Sequence, residues 1–120
     1  MTARPLEIRV TTVILVVAAL AFVGLGLTRT PHDLDVLTFP IGLGLVGLLS
    51  AVSVHTGLRL VRKVVLAYVI FAALAHALFA LGDLPVLYRI ASGILAAAHC
   101  YAAVLLLTKP AREFFQKGTP

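Results

Sequence analysis

Four stretches of this chain are too long and too apolar for water. They run over about Ile8–Leu27, Val36–Thr56, Val61–Leu81 and Val86–Thr108. Each supplies the roughly 20 helical residues needed to cross a hydrocarbon core of about 30 Å. Of the 120 residues, 61% are hydrophobic and 12% are charged, and a water-soluble domain of that size exposes too much surface to hide so much apolar side chain. In lipid every backbone amide must be bonded within the protein, which limits spanning segments to helices or closed barrels, and the chain is too short for a barrel's strands. The expected fold is all-α: a polytopic membrane protein, one antiparallel bundle of four transmembrane helices over residues 1–120. Connections of about eight, four and four residues make consecutive helices antiparallel neighbours.

Charge gives the direction. Ten Lys and Arg against five Asp and Glu leave a net charge of +5. The basic residues lie between the apolar runs, which argues for lipid headgroups and against nucleic acid. Arg4 and Arg9 precede span one, Arg59, Arg62 and Lys63 fill the second connection, and Lys109, Arg112 and Lys117 follow span four. The first connection mixes Arg29 with Asp33 and Asp35, and the third holds Asp83 and Arg89. Every second segment is basic, so both termini are expected in the cytoplasm. Arg59, Arg62, Lys63, Lys109 and Arg112 are the expected contacts for anionic lipid. Span one follows Arg4 and Arg9 as a signal peptide would, and is read as an uncleaved anchor. Residues Ala111–Gln116 are expected to form a short interfacial helix with Phe114 and Phe115 among the headgroups.

Lipid tails are as apolar as leucine, so helices associate through small residues and interhelical hydrogen bonds. Span two offers Gly44, Gly47, Ser50 and Ala51 at helical spacing, a groove for a neighbouring helix or an oligomer face. Pro40 is expected to bend its start. Polar residues at membrane depth point to function: Tyr68, His76, Ser92 and His99. Counted outward from the turn near Leu84, His76 and Ser92 each lie eight positions away, and Tyr68 and His99 sixteen and fifteen. Equal counts in an antiparallel hairpin imply equal depth, so His76 is expected to meet Ser92, and Tyr68 to meet His99, in interhelical hydrogen bonds. Two functional alternatives stand beside that structural role. One is a proton or ion path gated by His99 or His76, although no acidic or basic residue lies deep in any span. The other is haem or quinone association; the seven-residue offset of the histidines, roughly 10 Å in depth, is too large for one haem within the hairpin. His55 is expected as a helix-end cation or headgroup contact, and His32, Asp33 and Asp35 as a solvated loop.

Phosphate loops, Ser-His-Asp sets, HExxH and CxxC pairs do not occur, and Cys100 is the single cysteine. No enzyme, cofactor or metal is expected. The length is that of the small multidrug resistance transporters, but their membrane-embedded first-helix glutamate has no counterpart, since Glu7 stands at the start of span one. Arg4-Pro5-Leu6, the run Gly57-Leu58-Arg59-Leu60-Val61-Arg62-Lys63, and the segment Leu107 to Phe115 resemble a broad group of uncharacterised small prokaryotic membrane proteins. Those share a basic turn before span three and a Leu-x-x-Pro-x-x-Arg-x-Phe-like close, though the tryptophans often found in that turn are missing here. The resemblance implies a topology and no activity. The expected role is a structural or accessory subunit in the bilayer, as a homo-oligomer or within a larger membrane complex. The alternative is an oligomeric transporter.

Overall fold

A computed structural model describes residues 5–28 and 34–117. Its elements are helices: α1 Leu6–Thr28, α2 Leu34–Ser53, α3 Arg59–Leu81, α4 Val86–Leu106 and α5 Lys109–Lys117, with a 3-10 turn over Val54–Thr56 prolonging α2. Four segments, Leu6–Thr28, Thr38–Thr56, Arg59–Leu81 and Val86–Leu106, are long and apolar enough to cross a membrane, the architecture of a multi-pass membrane protein. Arg4, Arg29, His32 and Asp33, and the side chains of Asp35 and Lys117, lie outside the described residues.

The connections are short because local bonds close them. After the 3-10 turn Gly57 takes φ 72°, the left-handed region that favours glycine. Its amide donates to the Val54 carbonyl at 3.4 Å. At the α3–α4 turn the Gly82 amide donates to the Phe79 carbonyl at 3.3 Å. There the Arg89 Nε donates to the Ala80 carbonyl at 3.0 Å, tying the start of α4 to the end of α3. Pro110 falls in the first turn of α5, where a missing amide costs no hydrogen bond. Pro40, by contrast, sits well inside α2, so the Val36 carbonyl receives no amide from the next turn.

Contacts concentrate within two hairpins, α1–α2 and α3–α4, which meet mainly through α1 against α4; α2 touches α3 only lightly. Consecutive helices are thus not equally neighbours. One core runs through the bundle: Ile8 and Leu15 of α1, Ala51 and Val54 at the end of α2, Val65 and Val69 of α3, Ala102 and Leu106 of α4, and Ala111 and Phe115 of α5. Phe115 is 1% exposed and closes the core from below, whereas Phe114 is half-buried. This differs from the expected headgroup position because an aromatic ring gains most where it is fully enclosed.

The small residues of α2 allow close approach inside the chain. A Cβ on Gly44 would stand 2.8 Å from Val23 Cγ2, and one on Gly47 would stand 2.8 Å from the Tyr68 hydroxyl and 3.3 Å from the Ala19 Cβ. Ala18 and Ala19 face them, and Ser50 and Ala51 are buried alongside. Gly42, two residues before Gly44, has no neighbour within 4 Å of such a Cβ. Gly47→Leu is therefore expected to cost about 1–3 kcal/mol through overpacking and to lower the thermal unfolding midpoint in detergent, while Gly42→Leu leaves it unchanged. Equal midpoints for the two variants would refute the close α1–α2 approach.

Candidate functional site

The bundle has a basic end, where α3 begins and α5 folds back, and an opposite end at the α3–α4 turn. Polar side chains occupy three levels between them. Nearest the basic end, His55 leaves the end of α2 for α1, its Nε2 3.2 Å from the Thr12 hydroxyl. The Thr12 hydroxyl also donates to the Ile8 carbonyl at 2.9 Å, so the His55 ring nitrogen is the donor to Thr12. This contact is part-buried between the end of α2 and α1.

Midway, α2, α3 and α4 bring Tyr68, His76 and His99 together. The Tyr68 hydroxyl donates to the Leu43 carbonyl at 3.0 Å, joining α3 to α2 where their other contacts are few. The Tyr68 ring meets His99 edge-on, centroids 6.2 Å apart. The His99 Nδ1 lies 2.7 Å from the Leu95 carbonyl one turn earlier; a carbonyl only accepts, so Nδ1 carries the proton and, in the neutral ring, Nε2 keeps the lone pair. His76 stacks on His99 with centroids 5.2 Å apart and planes at 28°. His76 and His99 are 1% and 2% exposed. The His76 Nδ1 is buried with no hydrogen-bond partner.

The two expected interhelical bonds do not form. Tyr68 and His99 are in ring contact, but each satisfies its donor on a backbone carbonyl. His76 and Ser92 do not bond; the imidazole goes to the other histidine. The depth count failed because a helical side chain leans toward its helix's amino terminus. Helices α3 and α4 run in opposite directions, so His76 leans toward the basic end and His99 toward the opposite end. The two rings converge across an offset of roughly 10 Å in backbone depth. Stacking at 5.2 Å leaves no place between them for a porphyrin, whose iron would need a nitrogen aimed at it from each side. Among the described residues no group of three or more His, Cys, Asp and Glu side chains is placed to hold a metal ion.

Sequence reasoning missed the aromatic cage beyond His76. Phe22 of α1 packs edge-on against the His76 ring at 4.6 Å, and Phe79 lies 6.4 Å from it. Phe22, Phe39 and Phe79 also contact one another, at centroid distances of 5.8 to 6.0 Å. Above them a cavity of about 370 Å³ opens at the opposite end, lined by these three rings with Leu25, Tyr88 and Ser92. Tyr88 and Thr28 share a hydroxyl–hydroxyl bond of 2.9 Å at its rim. Ser92 is 5% exposed. Counting depth on α1 and α2 as well would have placed these phenylalanines near His76.

At the basic end, four of the five expected lipid-contact residues, Arg59, Arg62, Lys63 and Arg112, line one cavity of about 220 Å³ with Phe115 and Gln116. Lys109 stands apart, its Nζ 3.9 Å from Glu113 Oε1.

Fold and interior together define a four-span, all-helical membrane bundle with a stacked histidine pair in its core. Comparison with protein-family models, with curated proteins and with solved structures found no match to this chain.

The hydrogen-bond pattern separates two roles. Tyr68→Phe is expected to lower stability in detergent by about 0.6 kcal/mol and at most about 1.7 kcal/mol. His76→Phe is expected to leave stability unchanged or raise it, because it removes a buried nitrogen whose lack of a partner costs roughly 1–3 kcal/mol. Denaturant titration followed by circular dichroism reads both; a His76→Phe loss exceeding that of Tyr68→Phe would show that the nitrogen is bonded.

Proposed function

We propose that the chain is a non-catalytic accessory subunit of a larger membrane assembly, seated in a prokaryotic cell membrane with both termini in the cytoplasm. The alternation of basic segments supports the orientation. The observation that carries the docking role is the free flank of α2. Gly44 and Gly47 are covered within the chain, but Gly42 has nothing within 4 Å of its Cβ position. It lies in a furrow formed with Thr38, Phe39, Leu43 and Val46. Phe39 and Val46, one turn to either side, are the rims. In lipid such a bare stretch of backbone between large side chains receives the ridge of another transmembrane helix, because close packing replaces the hydrophobic drive available in water.

Affinity purification in mild detergent, read by mass spectrometry, tests this. A defined co-purifying membrane protein should be lost on Gly42→Leu and kept on Gly24→Leu, a second glycine whose Cβ position has no neighbour within 4 Å. Loss with both variants, or with neither, removes α2 as the docking face.

A second reading, proton movement, is favoured by the unpartnered His76 Nδ1 stacked on His99 at 5.2 Å. An imidazole can accept a proton on one ring nitrogen and release one from the other. Proteoliposomes carrying a pH gradient should then leak protons, and His99→Ala should abolish the leak; a leak that survives the substitution ends this reading.

A further inference from the structure

The positive-inside pattern requires basic residues near the amino end of α3 and in α5, but it does not require them to converge. Here they do. Arg59, Arg62 and Lys63 from one connection and Arg112 from a segment some fifty residues later line one cavity of about 220 Å³, walled by Phe115 and Gln116. None of the four cations is in an ion pair among the described residues, where the one ion pair is Lys109 with Glu113. Like charges gathered without an anion repel one another, and each helix that brings them is held by packing of its own: Phe115 and Ala111 are 1% and 0% exposed.

Two further features fit this cavity to an oxyanion. The Arg62 Nε donates to the Leu106 carbonyl at 3.0 Å, which fixes the guanidinium on the bundle floor and leaves its two terminal nitrogens for another acceptor. Leu58, the residue capping α3, provides no side-chain cap, and the amino end of that helix brings its partial positive charge to the same place. Guanidinium forks with helix amides match the oxygens of a phosphate group. Beside the cavity-bearing segments, Leu60 and Leu107 are 68% and 54% exposed, an apolar surface suited to acyl chains.

We propose that this cavity binds the phosphate of an anionic membrane lipid, gripped by Arg59, Arg62, Lys63 and Arg112. The lipid then bridges α3 and α5 at the basic end and holds α5 against the bundle floor.

The test titrates the detergent-solubilised protein with phosphatidylglycerol, phosphatidylcholine or inorganic phosphate, reading bound mass by native mass spectrometry and the unfolding midpoint in parallel. Phosphatidylglycerol should bind and raise the midpoint, and phosphatidylcholine should do neither. Arg112→Gln should weaken phosphatidylglycerol binding about tenfold or more, the scale of a lost hydrogen bond between charged groups. Lys109→Gln removes the same charge one turn away on α5 but outside the cavity, and should change binding by less than about threefold, as for a screened surface charge. A circular dichroism spectrum matching that of the unaltered protein shows that Arg112→Gln still folds. Equal losses in the two variants, or equal binding of the two lipids, would overturn the site in favour of diffuse attraction. Tight binding of inorganic phosphate without binding of phosphatidylglycerol would overturn the lipid and assign the cavity to a soluble phosphate.

Discussion

In hydrocarbon there is no water to accept a broken amide bond, and this single constraint organises the molecule. It makes each span a helix and makes the connections short. With the backbone bonded internally and lipid as apolar as the side chains, what remains to join helices is proximity. Proximity is available where side chains are smallest, and α1 and α2 meet at Ala18, Ala19, Gly44 and Gly47. The tyrosine of α3 then finds the Leu43 carbonyl within 3.0 Å, because at Gly47 there is no Cβ to hold its hydroxyl away. Gly47 thus bears both on the α1–α2 approach and on one of the links between the two hairpins.

What the sequence made legible was whatever varies along one dimension. Hydropathy and charge along the chain locate the spans closely: α3 begins at Arg59 where Val61 was expected, and α2 at Leu34 where Val36 was expected. The meeting of Tyr68 with His99 also follows from counting. The partners of the polar groups were hidden for two reasons. First, the acceptors are the Leu43 and Leu95 carbonyls, and every residue has a carbonyl, so no residue type marks them. Second, counting places a side chain at the depth of its own backbone, whereas opposed helices tilt their side chains toward each other or apart. His76 and His99 are the converging case, and their stack at 5.2 Å follows from chain direction, a quantity that the topology already contained.

The two ends of the bundle solve opposite problems. At the basic end α5, which carries Ala111 and Phe115 on one side and Arg112 and Glu113 on the other, folds under the helices and closes the core. The same fold-back carries Arg112 to the start of α3. Closure of the apolar core and convergence of the cations are therefore one event. At the opposite end the Arg89–Ala80 bond fastens α3 to α4 alone. There the aromatic rings of α1, α2 and α3 surround a cavity of about 370 Å³ in place of a plug.

His76 lies between these ends and is the least economical residue in the core. Its ring is 1% exposed and sits against Phe22, Phe79 and His99, surroundings that would accept a phenyl group. Its Nδ1 is buried without a partner, a situation that costs roughly 1–3 kcal/mol in a protein interior. Tyr68 and His99 do not share this cost, since each places its proton on a carbonyl. The packing of the bundle therefore accounts for a ring at position 76 but not for an imidazole. Stability does not explain the polarity there, and it stands in ring contact with a second histidine, His99. Any chemistry the interior performs has its most direct starting point at that nitrogen.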